Sequence, residues 1–144
     1  NDCHTQGMDT IYGLSLAETS ADPAAILRRM MDLSFCHMHG PEHHVMVGAA
    51  LLTAYKNAGG KLDLESALRE MYSRGKAVPG GACGFWGACG AGISAGQFLA
   101  IATQFFMKRT RAGTNIYASG ANPTAARGRG RMSSRLVTTW STKP

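Results

Sequence analysis

The sequence predicts an all-α domain of about four packed helices with a Gly-rich Cys loop, plus a disordered or non-native C-terminal tail. Three observations predict it. Capping residues and prolines stand where helices should begin, apolar residues recur behind them at helical spacing, and glycines close the runs. The domain is expected over residues 20–107, preceded by a remnant and linker over 1–19 and followed by a basic low-complexity tail over 108–144.

Residues 1–19 are mixed and give no clear element. The first helix signal is Asp22-Pro23, an N-cap carboxylate followed by proline at the first helical position. Ile26, Leu27, Met30, Met31 and Leu33 then form an apolar face, interrupted by Cys36-His37-Met38-His39-Gly40. Gly40-Pro41 opens the next helix, because the residue before proline is pushed out of the α region while proline is tolerated at its start. Val45, Ala49, Leu52 and Tyr55 give its apolar spacing, and Gly59-Gly60 ends it. A third helix runs from Asp63 through Leu64, Leu68 and Met71 to Gly75, with Glu65, Arg69, Glu70 and Arg74 on its outer face. The loops between these helices are short, which favours antiparallel neighbours.

No charged residue occurs from Ala77 to Met107. Its first part is too rich in Gly and Pro for helix. Gly92 to Met107 reads as a buried helix, with Gly92, Gly96 and Ala100 as a small-residue stripe. The apolar portion is shorter than the roughly 20 residues a membrane span requires and contains Gln97, Thr103 and Gln104, so no membrane association is expected.

Charge is divided unevenly along the 144 residues. Residues 1–107 hold seven Lys/Arg and nine Asp/Glu, a net of −2; residues 108–144 hold eight Lys/Arg and no acid, a net of +8. This is a near-neutral domain with a basic tail, not a uniformly basic nucleic-acid-binding domain. The tail, including the RGRGR run at 127–131, reads as disordered or as non-native sequence such as a frameshifted end, ahead of an RNA-contacting segment. The chain does not begin with Met, and Asn1-Asp2-Cys3-His4 reads as starting within a motif, so a fragment is expected.

Two stretches carry the chemistry. One is Cys36 to His44, with four histidines in eight residues from His37; the other is Val78 to Gly96, where Cys83 and Cys89 lie among glycines beside Phe85-Trp86. Four unevenly spaced cysteines mixed with histidines favour free or metal-bound thiols over a disulfide framework. Thiolates and imidazoles are ligands for zinc, copper and iron–sulfur centres. Cys83 and Cys89 are the expected thiolate ligands or redox thiols, and His39 and His43, with His44 and His37, the expected imidazole ligands. Gly84, Trp86, Gly87 and Gly90 are the expected cofactor contacts, since glycine-rich backbone can offer N–H groups to cluster sulfurs or an anionic cofactor. Glu42 is expected to orient an imidazole. The bland alternatives are histidines that cap and pack, and cysteines buried as small apolar residues.

Several patterns fail on geometry. His39-Gly40-Pro41-Glu42-His43 spells a zinc-peptidase H-x-x-E-H, but Pro41 starts the helix, so His39 cannot stack one turn from His43. Cys83-x5-Cys89 lacks the spacing of a zinc knuckle. Gly90-Ala91-Gly92-x-x-Ala95 follows no apolar strand and precedes no acidic residue, so it is no dinucleotide fingerprint. No Walker motif or nucleophile elbow is present.

HMHGPEHHVMVGAALLTAYKNAGG (37–60) together with VPGGACGFWGACGAGISAG (78–96) resembles a domain-of-unknown-function family found largely in anaerobic prokaryotes and sometimes joined to radical-SAM or methyltransferase-like regions. The likeness covers about residues 20–103. It implies His37, His39, His43, His44, Cys83 and Cys89 as the motif positions, leaves Cys36 outside them, and makes Asn1–His4 similar to the end of a Cys-rich stretch. Family members continue with helical sequence bearing a Cys-Cys pair, which residues 104–144 do not resemble. Cys89-Gly90-Ala91 is also faintly similar to a Gly-rich turn of putative redox-active proteins.

The expected function is a cytoplasmic metal-binding, redox-type module holding an iron–sulfur cluster or zinc, with a radical-SAM or methyltransferase-like domain as partner and no specific nucleic acid. The alternatives are a non-catalytic helical interaction module and an accessory domain of a SAM-dependent methyl-transfer enzyme.

Overall fold

The structure, a computed structural model, describes residues 2–121, and the side chain of Cys3 and the tail beyond 121 lie outside what it describes. Seven helices and no strand occur among the described residues. They are α1 (Asp2–Ala17), α2 (Pro23–Met31), α3 (His43–Asn57), α4 (Leu64–Lys76), α5 (Ala82–Trp86), α6 (Gly90–Arg109) and α7 (Arg111–Ala121). The all-α expectation holds. A first unit ends at Ile101 and a second begins at Ala102, so α6 belongs to both.

Local chemistry sets the helix ends. Asp22 caps α2 by accepting from the Ala24 amide at 2.9 Å, with Pro23 at the first helical position. Asp63 caps α4 by accepting from Ser66 N–H at 3.5 Å and Ser66 Oγ at 2.6 Å. α3 stops where Gly59 takes a φ of +91°, a left-handed conformation that costs glycine little, and the Gly60 amide returns to Tyr55 O at 2.9 Å. On the outer face of α4, Arg69 pairs with Glu65 and Arg74 with Glu70 one turn apart.

α3 is the hub. It packs on α1, α2 and α4, and α1 also meets α4. Its Val45, Met46, Ala49, Ala50, Leu52, Thr53 and Ala54 are all buried, a distribution around the helix rather than along one stripe. Met8 and Ile11, Ile26 and Met30, and Leu68 and Met71 complete the core from α1, α2 and α4. Each such side chain contributes about 1.5–3 kcal/mol by leaving water. Polar ties fix the register: Tyr72 Oη donates to Asp9 Oδ1 at 2.5 Å, and Asn57 Nδ2 donates to Glu18 O and Ser20 O in the α1–α2 linker.

The structure corrects several expectations. Residues 2–17 form a helix whose Met8, Ile11 and Ser15 are buried against the hub. The Gly/Pro-rich stretch contains a one-turn helix, α5, bounded by Gly81 and Gly87 in the left-handed region. The buried positions of α6 are Gly90, Ser94 and Ile101; Gly92, Gly96 and Ala100 are exposed, so the small-residue stripe is not a packing seam. Ser94 instead makes the close approach, its Oγ accepting from the Gly48 amide at 2.8 Å. Tyr55, expected on the apolar face of α3, is 49 % exposed. In the second unit α7 lies within the stretch read as tail, and Thr110 Oγ accepts from Gly113 N–H at 3.0 Å at its start. No helix among the described residues is long and apolar enough to cross a membrane.

Candidate metal centre

The loop between α2 and α3 turns back on itself before α3 begins. Pro41 has no N–H to donate, and Glu42 takes the helical conformation while making no side-chain cap. Backbone carbonyls meet the first helix amides instead: Gly40 O accepts from His43 N and Pro41 O from His44 N. The Glu42 carboxylate is thereby released from capping and points inward, where Oε1 accepts from the His37 amide at 3.2 Å. It fills the space a side chain at Gly40 would need, so that position admits only glycine without rearrangement.

Glu42 is 5 % exposed, and among the described residues it is the only buried Asp or Glu. No Lys or Arg pairs with it there; the ion pairs among the described residues are Glu18–Arg29, Glu65–Arg69 and Glu70–Arg74. A buried carboxylate without a cation is costly unless it is neutralised or coordinates one.

Its neighbours are ligand types. Cys36, Glu42 and His43 each place one ligand atom within 4.8 Å of the others. Burial, and then the charge of Glu42, push the Cys36 thiol above its usual range. His43 Nε2 lies 2.7 Å from His37 O. A carbonyl only accepts, so Nε2 carries the proton and a neutral ring keeps its lone pair on Nδ1. His37 thus fastens both Glu42 and His43 through its backbone.

The other predicted residues lie around this loop. His39, His44 and Cys83 line one cavity of about 500 Å³ with Lys76 and Val78. His37, His39 and Glu42 line a second of about 650 Å³ with Gln6, Asp9 and Thr10. His39, Gly40 and Pro41 belong to both walls. Burial, followed by the neighbouring His43, pushes His44 below the usual histidine range. Gly90 is buried against His43 and His44, with its Cβ position 2.9 Å from His43 Cβ, so the Cys89–Gly90 corner meets the start of α3. Gly84, Trp86 and Gly87 are exposed, Trp86 at 72 %.

The Gly-rich Cys loop therefore does meet the His-rich helix start, through Cys83 across a cavity and through Gly90 by contact. Among the described residues, however, neither Cys83 nor Cys89 joins a group of three ligand atoms within 4.8 Å. Cys36, left outside the motif by the family resemblance, belongs to that group, as does a carboxylate oxygen of Glu42. The signal for Cys36 was its place at the mouth of a loop closed by Gly40-Pro41, which returns the chain six residues later.

The family of unknown function DUF5714 matches residues 11–125, and the chain belongs to it. Neither a curated protein nor a solved structure matches the chain.

Proposed function

Starting from a family to which no reaction is attached, we propose that this chain is a metal-binding module holding one divalent transition-metal ion through Cys36, Glu42 and His43. The observation that carries the reading is the buried Glu42 carboxylate, beside a thiol and an imidazole and paired with no Lys or Arg among the described residues. A divalent ion would compensate that carboxylate, and it would draw the proton from Cys36 by stabilising the thiolate. His43 would bind through Nδ1, its ring held by the His37 carbonyl, the outer contact that metal-bound histidines commonly make.

One thiolate, one imidazole and one carboxylate suit zinc, which accepts sulfur, nitrogen and oxygen ligands. An iron–sulfur cluster draws on several thiolates, and this group supplies one. Zinc with three protein ligands keeps a position for water or substrate, the arrangement of catalytic rather than structural sites. The cavity of about 650 Å³ that reaches Glu42 gives such a position access.

Cobalt substitution tests this. Titration of the full chain with Co²⁺ should produce a thiolate-to-metal absorption band and a stoichiometry of one. Cys36→Ser should abolish the band, and Glu42→Gln should weaken binding about 10- to 100-fold or more, as losses of metal-site partners do. A Co²⁺ band that survives Cys36→Ser overturns the proposal, as does a folded chain that binds no metal.

The clasp itself supports a second reading. Glu42 and His43 both fasten His37, so the cluster would be a non-catalytic loop lock in a helical interaction module. Under that reading Glu42→Gln keeps the fold and changes no metal binding.

A further inference from the structure

We propose that the cavity of about 500 Å³ between the His loop and the Cys loop binds a small organic carboxylate, with Lys76 receiving its head group and Cys83 at its wall. This site is distinct from the metal centre, none of whose three ligand residues lines it.

The lining determines the ligand class. Lys76 is its only permanently charged residue, and no Asp or Glu contributes to it. The ammonium is held 4.9 Å from the centroid of the Tyr72 ring, a cation–π contact that positions the charge without neutralising it, and no carboxylate pairs with it among the described residues. His39 and His44 add imidazole hydrogen-bonding groups. Met8, Pro41 and Val78 supply an apolar wall. A cavity of this volume falls within the range of small-molecule sites, which are mostly apolar with a few placed polar groups. A phosphate would call for several cationic or fork-like donors. One cation on an apolar wall instead suits a single carboxylate with a short hydrocarbon body.

Cys83 makes the site readable. Iodoacetamide alkylates a thiolate by forming a C–S bond as iodide leaves, and Cys89, on the same glycine-rich stretch but outside the cavity lining, is the internal reference. In the full chain, hexanoate should slow alkylation of Cys83 several-fold in peptide mass spectrometry and leave Cys89 unchanged, whereas inorganic phosphate should protect neither. Lys76→Gln should remove the protection and Lys76→Arg should keep it. Cys36→Ser should not affect it, which separates failure here from failure of the metal reading. Equal labelling of Cys83 with and without hexanoate overturns the proposal, as does equal protection of Cys89 or protection that persists in Lys76→Gln.

Discussion

The two cysteine-bearing loops are built on opposite plans. The loop before α3 is held by side chains: a carboxylate and an imidazole both grip His37, Glu42 is 5 % exposed and Cys36 is half-buried. The loop before α6 is held mainly by its own backbone, through the Ala82 N–H to Pro79 O and Ala88 N–H to Ala82 O bonds, and it leaves Cys83 and Cys89 exposed, with Phe85 at 87 % and Trp86 at 72 %. Glycine density therefore marks tight backbone turns beside a cavity, whereas a carboxylate folded under a single glycine marks the place where ligand atoms gather. Histidines and cysteines in a sequence indicate chemistry, but burial decides which of them act together.

Substitutions can break or sharpen this contrast. The largest effect should come from the hub behind the first loop. Leu52 is 2 % exposed, and Leu52→Ala should cost about 2–5 kcal/mol in urea unfolding through lost burial and the cavity left behind. Gly40→Ala should come next. Its new methyl meets only the far end of the Glu42 side chain, which must turn aside, so Co²⁺ binding should fall while stability changes by about 1 kcal/mol. A neutral Gly40→Ala would dissolve the contrast. In the second loop, Trp86→Ala should change unfolding free energy by no more than about 0.5 kcal/mol, because the ring leaves little water on folding.

A further effect is confined to alkaline pH. Burial, aided by the hydrogen bond to Asp9, pushes the Tyr72 phenol up to about 12, against roughly 10 in an unfolded chain. Between those values the unfolded chain releases a proton that the folded chain retains. The stability this gives is complete below pH 10 and is lost as pH rises toward 12. Tyr72→Phe lacks that loss. Its stability difference from the parent should therefore move in the variant's favour between pH 8 and pH 11, measured as urea midpoints.

Much of the fold was legible because its signals are local. Asp22-Pro23, Asp63 and Gly59-Gly60 act within one turn of themselves, and each sits at an observed helix end. α1 was not legible, because Met8, Ile11 and Ser15 are interspersed with polar residues and their burial depends on α3, more than thirty residues away. The α6 stripe was misread for the related reason that helical spacing shows which residues share a face but not which face is covered; Ser94, a polar residue, made the close contact. At the site, His43 was legible from its place in the first turn of α3. Cys36 was legible only as a residue at the mouth of the Gly40-Pro41 loop, since the folded-back loop alone brings it beside Glu42.

The segment His39-Gly40-Pro41 has a consequence of its own. It is a partition three residues thick with a cavity on either side. A guest that displaces the partition from one chamber changes the room available in the other. Thermodynamic reciprocity then requires that each guest alter the affinity for its neighbour by the same factor. Guests in the two chambers are coupled only to the extent that they move this shared wall, and are independent where it stays in place.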